Sequence, residues 1–495
     1  MSSKVRSDKF MQDRGRGRFL PSSYFPVLLV ATIMALPLGV VLGILNPLYG
    51  AEIAGALLIA FIVALRQDQL AAVLVIAVHL YVDWYLGLRF AALEIALALL
   101  LIFFLARSPQ HPWVGPHAFW LWMLLLVLAI FPAIAGIIWS DSFTYYLTII
   151  FGALITFWLG AVIAQNGAGV RRFFKILAGL GTLLAIHSLI QVATGTLLLG
   201  SARYDQYLAQ VSDFELSAST VHRAGSFFVN PDWSGTFFAM MLFVPVGLFF
   251  ESTSLTEKVL YCIETFLMTL ALLSTYSTGA WVASIAGVII FLALVGRMHY
   301  RVQLLLFLIT ISLAIFVAFP TQAGLQLQHA ADSSSLSVRL GAWQTAIQVI
   351  YAFPLTGFGL GLFTYLARAE SYRVLAQYRP LAHPHNAYLE LGAMAGLPVL
   401  TIFVALLLLA LWWALRNWAA AGVRTRSLLG GGIAAVITLS VNSMSINGWT
   451  LAPLAATGWL MLGVLSSPLI AETRDRSSMQ EKGNRVKRAS FLPIP

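Results

Sequence analysis

Apolar residues run through this chain in long uninterrupted blocks. Marked as stretches of about 20 predominantly apolar residues, the length that crosses a bilayer as a helix, they fall at 25–45, 51–65, 69–88, 90–106, 118–139, 143–165, 175–195, 233–250, 258–276, 279–296, 303–319, 388–415, 427–445 and 452–470. The stretches 51–65 and 90–106 are the shortest, so the pattern predicts 12–14 membrane helices. Two polar connections, 196–232 and 320–387, are long and every other one is short. Within the longer, Leu336, Leu340, Trp343, Ile347 and Ile350 recur in steps of four and three, the spacing of one helix face. Ser333 to Ser335 suit its start, and Pro354 with Gly357, Gly359 and Gly361 its end. A second polar helix is expected over about 362–378. Such amphipathic helices lie at a membrane interface, apolar side down.

Composition agrees. At 59% hydrophobic and 10% charged residues, against about 25% charged in an ordinary soluble domain, the chain is not a soluble enzyme. The expected organisation is a basic tail at 1–24, one transmembrane domain at 25–470 and a second basic tail at 471–495. The net charge of +10 follows the positive-inside rule rather than a nucleic-acid partner. With both termini cytoplasmic, 23 of the 30 Lys and Arg residues fall on the inner side. The first apolar stretch follows a basic segment and is long enough to remain in the membrane. Cys262 is the only cysteine, which excludes an intrachain disulfide and a multi-cysteine metal site.

The remaining seven cations are all arginines on the outer side: Arg89, Arg203, Arg223, Arg339, Arg368, Arg373 and Arg379. A guanidinium is a planar fork of donors suited to phosphate. Arg368, Arg373 and Arg379 are equally explained by solvation or by pairing with Glu370. Asp83, Arg89 and Glu94, close around one outer hairpin, can neutralise one another. The densest polar cluster, His383-Pro384-His385-Asn386-Ala387-Tyr388-Leu389-Glu390, sits where the chain re-enters the membrane from outside. Histidine there could exchange protons near neutral pH, although a lone interfacial histidine often serves packing.

His385-Asn386, followed nine residues later by Gly396, resembles the signature of the O-antigen ligase and polymerase family of membrane glycosyltransferases. Upstream, Arg339, Trp343 and Pro354-Leu355-Thr356-Gly357-Phe358-Gly359 are similar to the family segment before that histidine. Arg223-Ala224-Gly225-Ser226-Phe227 with Asn230-Pro231-Asp232 resembles its other outer-loop pattern, and Ser277-Thr278-Gly279-Ala280-Trp281 its short outer turn. These patterns cover about 220–400. Two positions depart: Gly396-Leu397-Pro398-Val399-Leu400 stands where ligases usually continue Gly-x-x-Gly-Thr, and Thr278 where many members carry arginine. Ligase and polymerase therefore both stay open.

The resemblance implies an all-α bundle similar to the C-type glycosyltransferases, in the bacterial inner membrane with its active site outside. It implies a donor glycan on undecaprenyl diphosphate, an acceptor hydroxyl on another glycan or a lipid A core, and transfer with inversion. Arg223 and Arg339 would bind the diphosphate and His385 would serve the acceptor hydroxyl. Asn386, Tyr388, Glu390, Trp343 and His383 would orient substrate. No cofactor is expected, and no Asp-x-Asp triplet offers a metal site of the nucleotide-sugar transferase kind. The competing class is a transporter of a small anion such as bicarbonate. Its ionisable residues would lie near the midplane on broken helices, whereas here they gather in the outer loops.

Overall fold

The computed structural model describes residues 116–163, 167–195, 214–216, 219–221, 223–228, 230–295, 333–374 and 383–467, with scattered residues elsewhere. The chain divides into two compact units, Met1–Leu74 and Val75–Pro495, and all of these continuous segments belong to the second. The outer hairpin of Asp83, Arg89 and Glu94, the residues Arg203 and Arg379, and both basic tails lie outside the described residues.

The architecture is all-helical, as the apolar blocks predict. In chain order the helices are α1 (Pro116–Ile134), α2 (Trp139–Tyr145), α3 (Gly152–Ile163), α4 (Gly167–Thr194), α5 (Pro231–Met241), α6 (Phe243–Glu251), α7 (Leu255–Ser274), α8 (Thr278–Leu294), α9 (Ser333–Ala352), α10 (Leu362–Ala369), α11 (Ala387–Ala420), α12 (Val423–Asn442) and α13 (Ala452–Ser466). A π-helical turn, Tyr146–Phe151, joins α2 to α3, and α5 runs into α6 at Leu242. A small antiparallel hairpin pairs β1 (Phe214–Leu216) with β2 (Ser219–Val221). Among the described residues four spans are long and apolar enough to cross a membrane: Trp139–Ile163, Ala168–Thr194, Pro231–Glu251 and Ala387–Ala420. These spans, with the apolar faces that shorter helices turn outward, identify a membrane protein. On α8, for example, Val282, Ile285 and Ile289 recur at helical spacing and are 58–61% exposed, which a bilayer tolerates and water does not.

Small residues let the helices meet backbone to backbone, the usual device where lipid removes the hydrophobic drive for association. Where α3 crosses α13, a Cβ on Gly463 would lie 2.0 Å from the Phe157 carbonyl oxygen, and one on Gly160 2.2 Å from that of Leu460. Beside this crossing Trp122, Phe403, Trp449 and Trp459 form an aromatic core, the Trp459 ring being 5.1 Å from both Trp122 and Trp449.

One end of the bundle is tied by charge. Arg171 of α4 meets Glu251 at 2.7 Å and Glu257 at 2.8 Å, and Lys175 meets Glu257 at 2.7 Å. These partners explain why α4 begins at Gly167, eight residues before the expected apolar stretch.

The opposite end holds a broken helix. The α11 segment reads as one helix of 34 residues, but Gly396 inside it has φ +82° and ψ 168°. Residues 397–420 alone give about 36 Å at 1.5 Å per residue, enough for the bilayer. Residues 387–395 therefore form a separate short helix. The break leaves Ala393 and Met394 carbonyls without their usual partners, since Leu397 N–H donates instead to the Pro354 carbonyl at 2.7 Å and Pro398 has no N–H. The Pro354–Gly361 loop fills the gap: Phe358 N–H donates to Ala393 at 2.9 Å and Gly359 N–H to Met394 at 3.0 Å. Gly357, at φ +62°, approaches so closely that a Cβ there would lie 2.4 Å from the Met394 carbonyl carbon. The same loop reaches α1, with Leu360 N–H donating to the Pro132 carbonyl at 2.8 Å.

One of the two long-loop expectations changes in detail. Helix α9 forms where the periodicity places it, with Leu340 44% and Ile347 40% exposed, as an interfacial apolar side would be, and with Ala342, Thr345, Ala346 and Val349 buried against the protein. The second polar helix stops at Ala369 and a 3₁₀ turn over Glu370–Tyr372. Beyond it the chain extends, and Val374 N–H donates to the Thr345 hydroxyl on α9 at 3.3 Å rather than continuing the helix.

Candidate functional site

The site begins with a helix start. Asn230 caps α5, its side-chain oxygen accepting the Asp232 N–H at 2.8 Å, and Pro231 takes the first helical position. Asp232 thus sits in the first turn, where a negative charge suits the helix dipole. Trp233 Nε1 donates to Asn447 Oδ1 at 2.9 Å, holding this turn against the α12–α13 connection.

The Arg223–Phe228 segment lies alongside. Ala224 N–H donates to the Ser274 carbonyl at 3.0 Å and Arg223 Nε to that of Thr275 at 2.7 Å. Ser226, at φ +46°, is held by Gln191, whose side-chain oxygen accepts its N–H at 2.8 Å. His187 touches the Ser226 hydroxyl at 3.1 Å and stacks on Phe227, ring centres 4.2 Å apart. These contacts aim the Arg223 guanidinium at Asp232: Nη2 to Oδ1 is 2.8 Å.

A second arginine arrives from the other long loop. Arg339 of α9 places Nη2 3.6 Å from the other carboxylate oxygen of Asp232. Arg223 and Arg339, far apart in sequence and both expected to bind phosphate, therefore meet at one carboxylate. Among the described residues Arg223 is pinned by two contacts, whereas Arg339 is held by one long one. With one carboxylate between them the pair carries a net positive charge.

His385 completes the group. It precedes the short helix 387–395 and has φ +50°, a conformation that costs of order 1–3 kcal/mol for a non-glycine residue and gathers at functional sites. Its N–H donates to His383 Nδ1 at 3.2 Å, and the two rings lie 4.2 Å apart. Burial, reinforced by the Arg339 charge and opposed by Asp232, pushes the His385 imidazole down to about 4. It is neutral at physiological pH, with a lone pair to accept a proton. Among the described residues its Nδ1 is buried without a hydrogen-bond partner, so a ligand hydroxyl could take that position. Burial, with His385 adding to it, also holds His383 well below the usual histidine range.

The other expected site residues divide. Asn386, expected to orient substrate, is a helix cap: its side-chain oxygen accepts the N–H groups of Tyr388 and Leu389, both at 3.0 Å, and its amide donates to the Met444 carbonyl at 2.9 Å. Tyr388 donates its hydroxyl to the Ser440 carbonyl at 3.0 Å. Both polar groups serve the fold, because the short helix needs fixing to α12. Glu390 is fully buried and accepts the Tyr145 hydroxyl at 2.8 Å, with Oε2 3.7 Å from His383 Nδ1. It lies behind the histidines, supporting them. Trp343, one turn beyond Arg339, has a buried indole N–H with no partner among the described residues. Arg373 pairs with Glu370 at 2.7 Å, the expected alternative to a phosphate contact, whereas Arg368 donates instead to the Phe358 carbonyl.

Sequence reasoning missed the central member. Asp232 was visible as an acid in the first turn of an outer helix, but nothing in the spacing linked it to Arg339. Among the described residues no group of three or more His, Cys, Asp and Glu side chains is arranged to hold a metal ion.

Residues 264–404 match the family model described as O-antigen ligase. The match runs from within α7 through α8, α9 and the Pro354–Gly361 loop into α11, and so includes Arg339 and His385. It supports the O-antigen ligase family, and with it a ligase- or polymerase-type activity on lipid-linked glycans at a membrane. Arg223 and Asp232 lie outside the matched span and join it through the fold. No curated protein matches the chain.

Proposed function

We propose that the protein transfers or polymerises a glycan from an undecaprenyl-diphosphate-linked donor onto a sugar hydroxyl, with inversion and without a metal ion. The reaction takes place at the outer face of the bacterial inner membrane, both termini being cytoplasmic. The acceptor is a glycan or a lipid A core. The observation that carries this reading is the convergence of Arg223, Arg339 and Asp232 beside a neutral, buried His385 at the end of the bundle away from the Arg171–Glu257 ion pairs.

The chemistry follows from the charges. A diphosphate is a good leaving group and needs anion stabilisation more than a proton, so the paired carboxylates of a glycosidase are not required. Arg339, loosely held, turns from Asp232 to the diphosphate, while pinned Arg223 presents its remaining donors. Each charge-assisted contact contributes about 1.5–3 kcal/mol. The acceptor oxygen attacks the anomeric carbon opposite the diphosphate; the new C–O bond forms as the bond to phosphate breaks, and the acceptor proton passes to His385. Donor negative charge and Asp232 both favour the imidazolium that results. General-base help of this kind gives about 10²–10⁴-fold. Trp343 would stack on the sugar, and the prenyl tail stays in the bilayer.

In reconstituted full-length protein, His385→Ala is expected to abolish glycan transfer from an undecaprenyl-diphosphate donor while the thermal unfolding profile stays cooperative. Near-normal transfer by that variant removes His385 from the mechanism. A ladder of lengthening products identifies a polymerase, a single block moved to lipid A a ligase. The carrier alternative draws on one observation, Glu264 buried within α7, an ionisable residue at membrane depth. One buried carboxyl traces no path across the bilayer, so the transferase reading is preferred.

A further inference from the structure

At the end of the bundle opposite the arginine cluster, α6, α7 and α12 enclose a cavity of about 470 Å³, within the roughly 300–1,000 Å³ typical of small-molecule sites. Glu251 at its rim and Asp232 in the cluster bracket one bilayer-length span, about 28 Å apart along the helix at 1.5 Å per residue. The cavity is therefore at the other membrane interface and is no part of the proposed transferase site.

Its lining mixes apolar Val246, Phe249, Phe250 and Cys262 with the hydroxyls of Ser252, Thr253, Tyr261 and Thr265, and Lys258 and Arg424 supply its cations. The nearby acids are already neutralised: Glu251 pairs with Arg171, and Glu257 with Arg171 and Lys175. Lys258 and Arg424 have no carboxylate partner among the described residues; the Lys258 ammonium lies 5.5 Å over the Phe249 ring. Beside the mouth, α7 turns Leu255, Val259, Leu260 and Ile263 outward, each at least 50% exposed, so the cavity opens next to a lipid-facing surface. A soluble anion would answer the cations but leave the aliphatic and aromatic part of the wall uncovered. A neutral lipid would leave both cations unanswered.

We infer that this cavity binds an anionic glycerophospholipid, its phosphate held by Lys258 and Arg424 and an acyl chain entering between α6 and α7. Basic pockets between helices at a cytoplasmic interface suit such headgroups, and each basic residue near the surface is worth roughly fivefold in affinity.

The test uses full-length protein in detergent, with bound lipid counted by native mass spectrometry. The probes are dioleoyl phosphatidylglycerol, dioleoyl phosphatidylcholine and glycerol 3-phosphate. Retention of phosphatidylglycerol over phosphatidylcholine is expected, weakened about 25-fold in K258Q/R424Q, with glycan transfer unchanged. C262W, which fills the chamber and keeps both charges, is expected to lose the lipid as well. Equal retention of phosphatidylcholine, or undiminished phosphatidylglycerol binding by either variant, overturns the inference. Glycerol 3-phosphate binding as tightly as the lipid overturns it in favour of a soluble anion. Because transfer is assayed separately, loss of the transferase reading would leave this result standing.

Discussion

Replacing Asp232 by asparagine removes one negative charge from between two guanidiniums at nearly constant shape. Two unit charges 4 Å apart interact by about 4 kcal/mol at an effective dielectric of 20, and breaking a fully buried pair costs about 3–5 kcal/mol. The side chains of Arg223, Asp232 and Arg339 are 12%, 16% and 23% exposed, which lowers the cost. About 3 kcal/mol is expected for the 2.8 Å contact with Arg223 and about 1 kcal/mol for the 3.6 Å contact with Arg339. The functional consequence has the opposite sign for binding and for turnover. Asp232 competes with donor phosphate for Arg339, so its loss should lower the apparent KM for the lipid-linked donor about fivefold, the equivalent of 1 kcal/mol. Turnover should fall about tenfold or more, because the imidazolium formed on His385 loses its nearby carboxylate. Steady-state transfer assays on protein in nanodiscs, with thermal unfolding measured in parallel, separate these effects. A raised KM with unchanged kcat, or no change in either, would refute the idea that the carboxylate competes with the donor and supports the base.

Two further outcomes are expected from the same region. His385 is depressed to about 4 in the folded chain against about 6.5 unfolded, so between these pH values the unfolded chain takes up a proton that the folded one refuses. Stability therefore falls as pH drops from about 6.5 to 4, by on the order of 3 kcal/mol from this group, and a His385→Gln variant should lose less stability than the parent when unfolded by denaturant across that range. An equal loss in both would show that His385 is not buried neutral. Gly357→Ala places a Cβ 2.4 Å from the Met394 backbone at φ +62°; a loss of about 3 kcal/mol or more is expected, and a melting temperature within a degree or two of the parent would mean that the loop does not clamp the broken helix.

How far the sequence reaches depends on what each residue faces. The long apolar blocks locate the helices because lipid requires them: 143–165 corresponds to Trp139–Ile163, and 388–415 to Ala387–Ala420. The apolar stripe of α9 has the same origin. Leu340 and Ile347 are apolar because they face outward, and the protein contact falls to Ala342, Ala346 and Val349, whose small size permits close packing. Arg223 and Arg339 are legible as cations that break the positive-inside pattern, and His385 by the polar cluster around it. Their common partner is not, since Asp232 and Arg339 meet only through folding. Asn386 looks chemical because it adjoins His385, yet its spacing to Tyr388 and Leu389 is that of a helix cap. The proline–glycine run at 354–361 likewise marks a helix end, while its hydrogen bonds to the carbonyls of a different helix leave no local signal.

That proline–glycine loop has a mechanical effect on the chemistry. It leaves α9 directly and grips the short helix behind His385, which is also tied to α12 through Tyr388 and to the α12–α13 connection through Asn386. The Asp232 turn reaches the same connection through Trp233 and Asn447. The base is thus anchored from two sides, while among the described residues Arg339 keeps only its 3.6 Å contact with Asp232. An arriving headgroup would find the histidine already in position and only the second cation left to adjust.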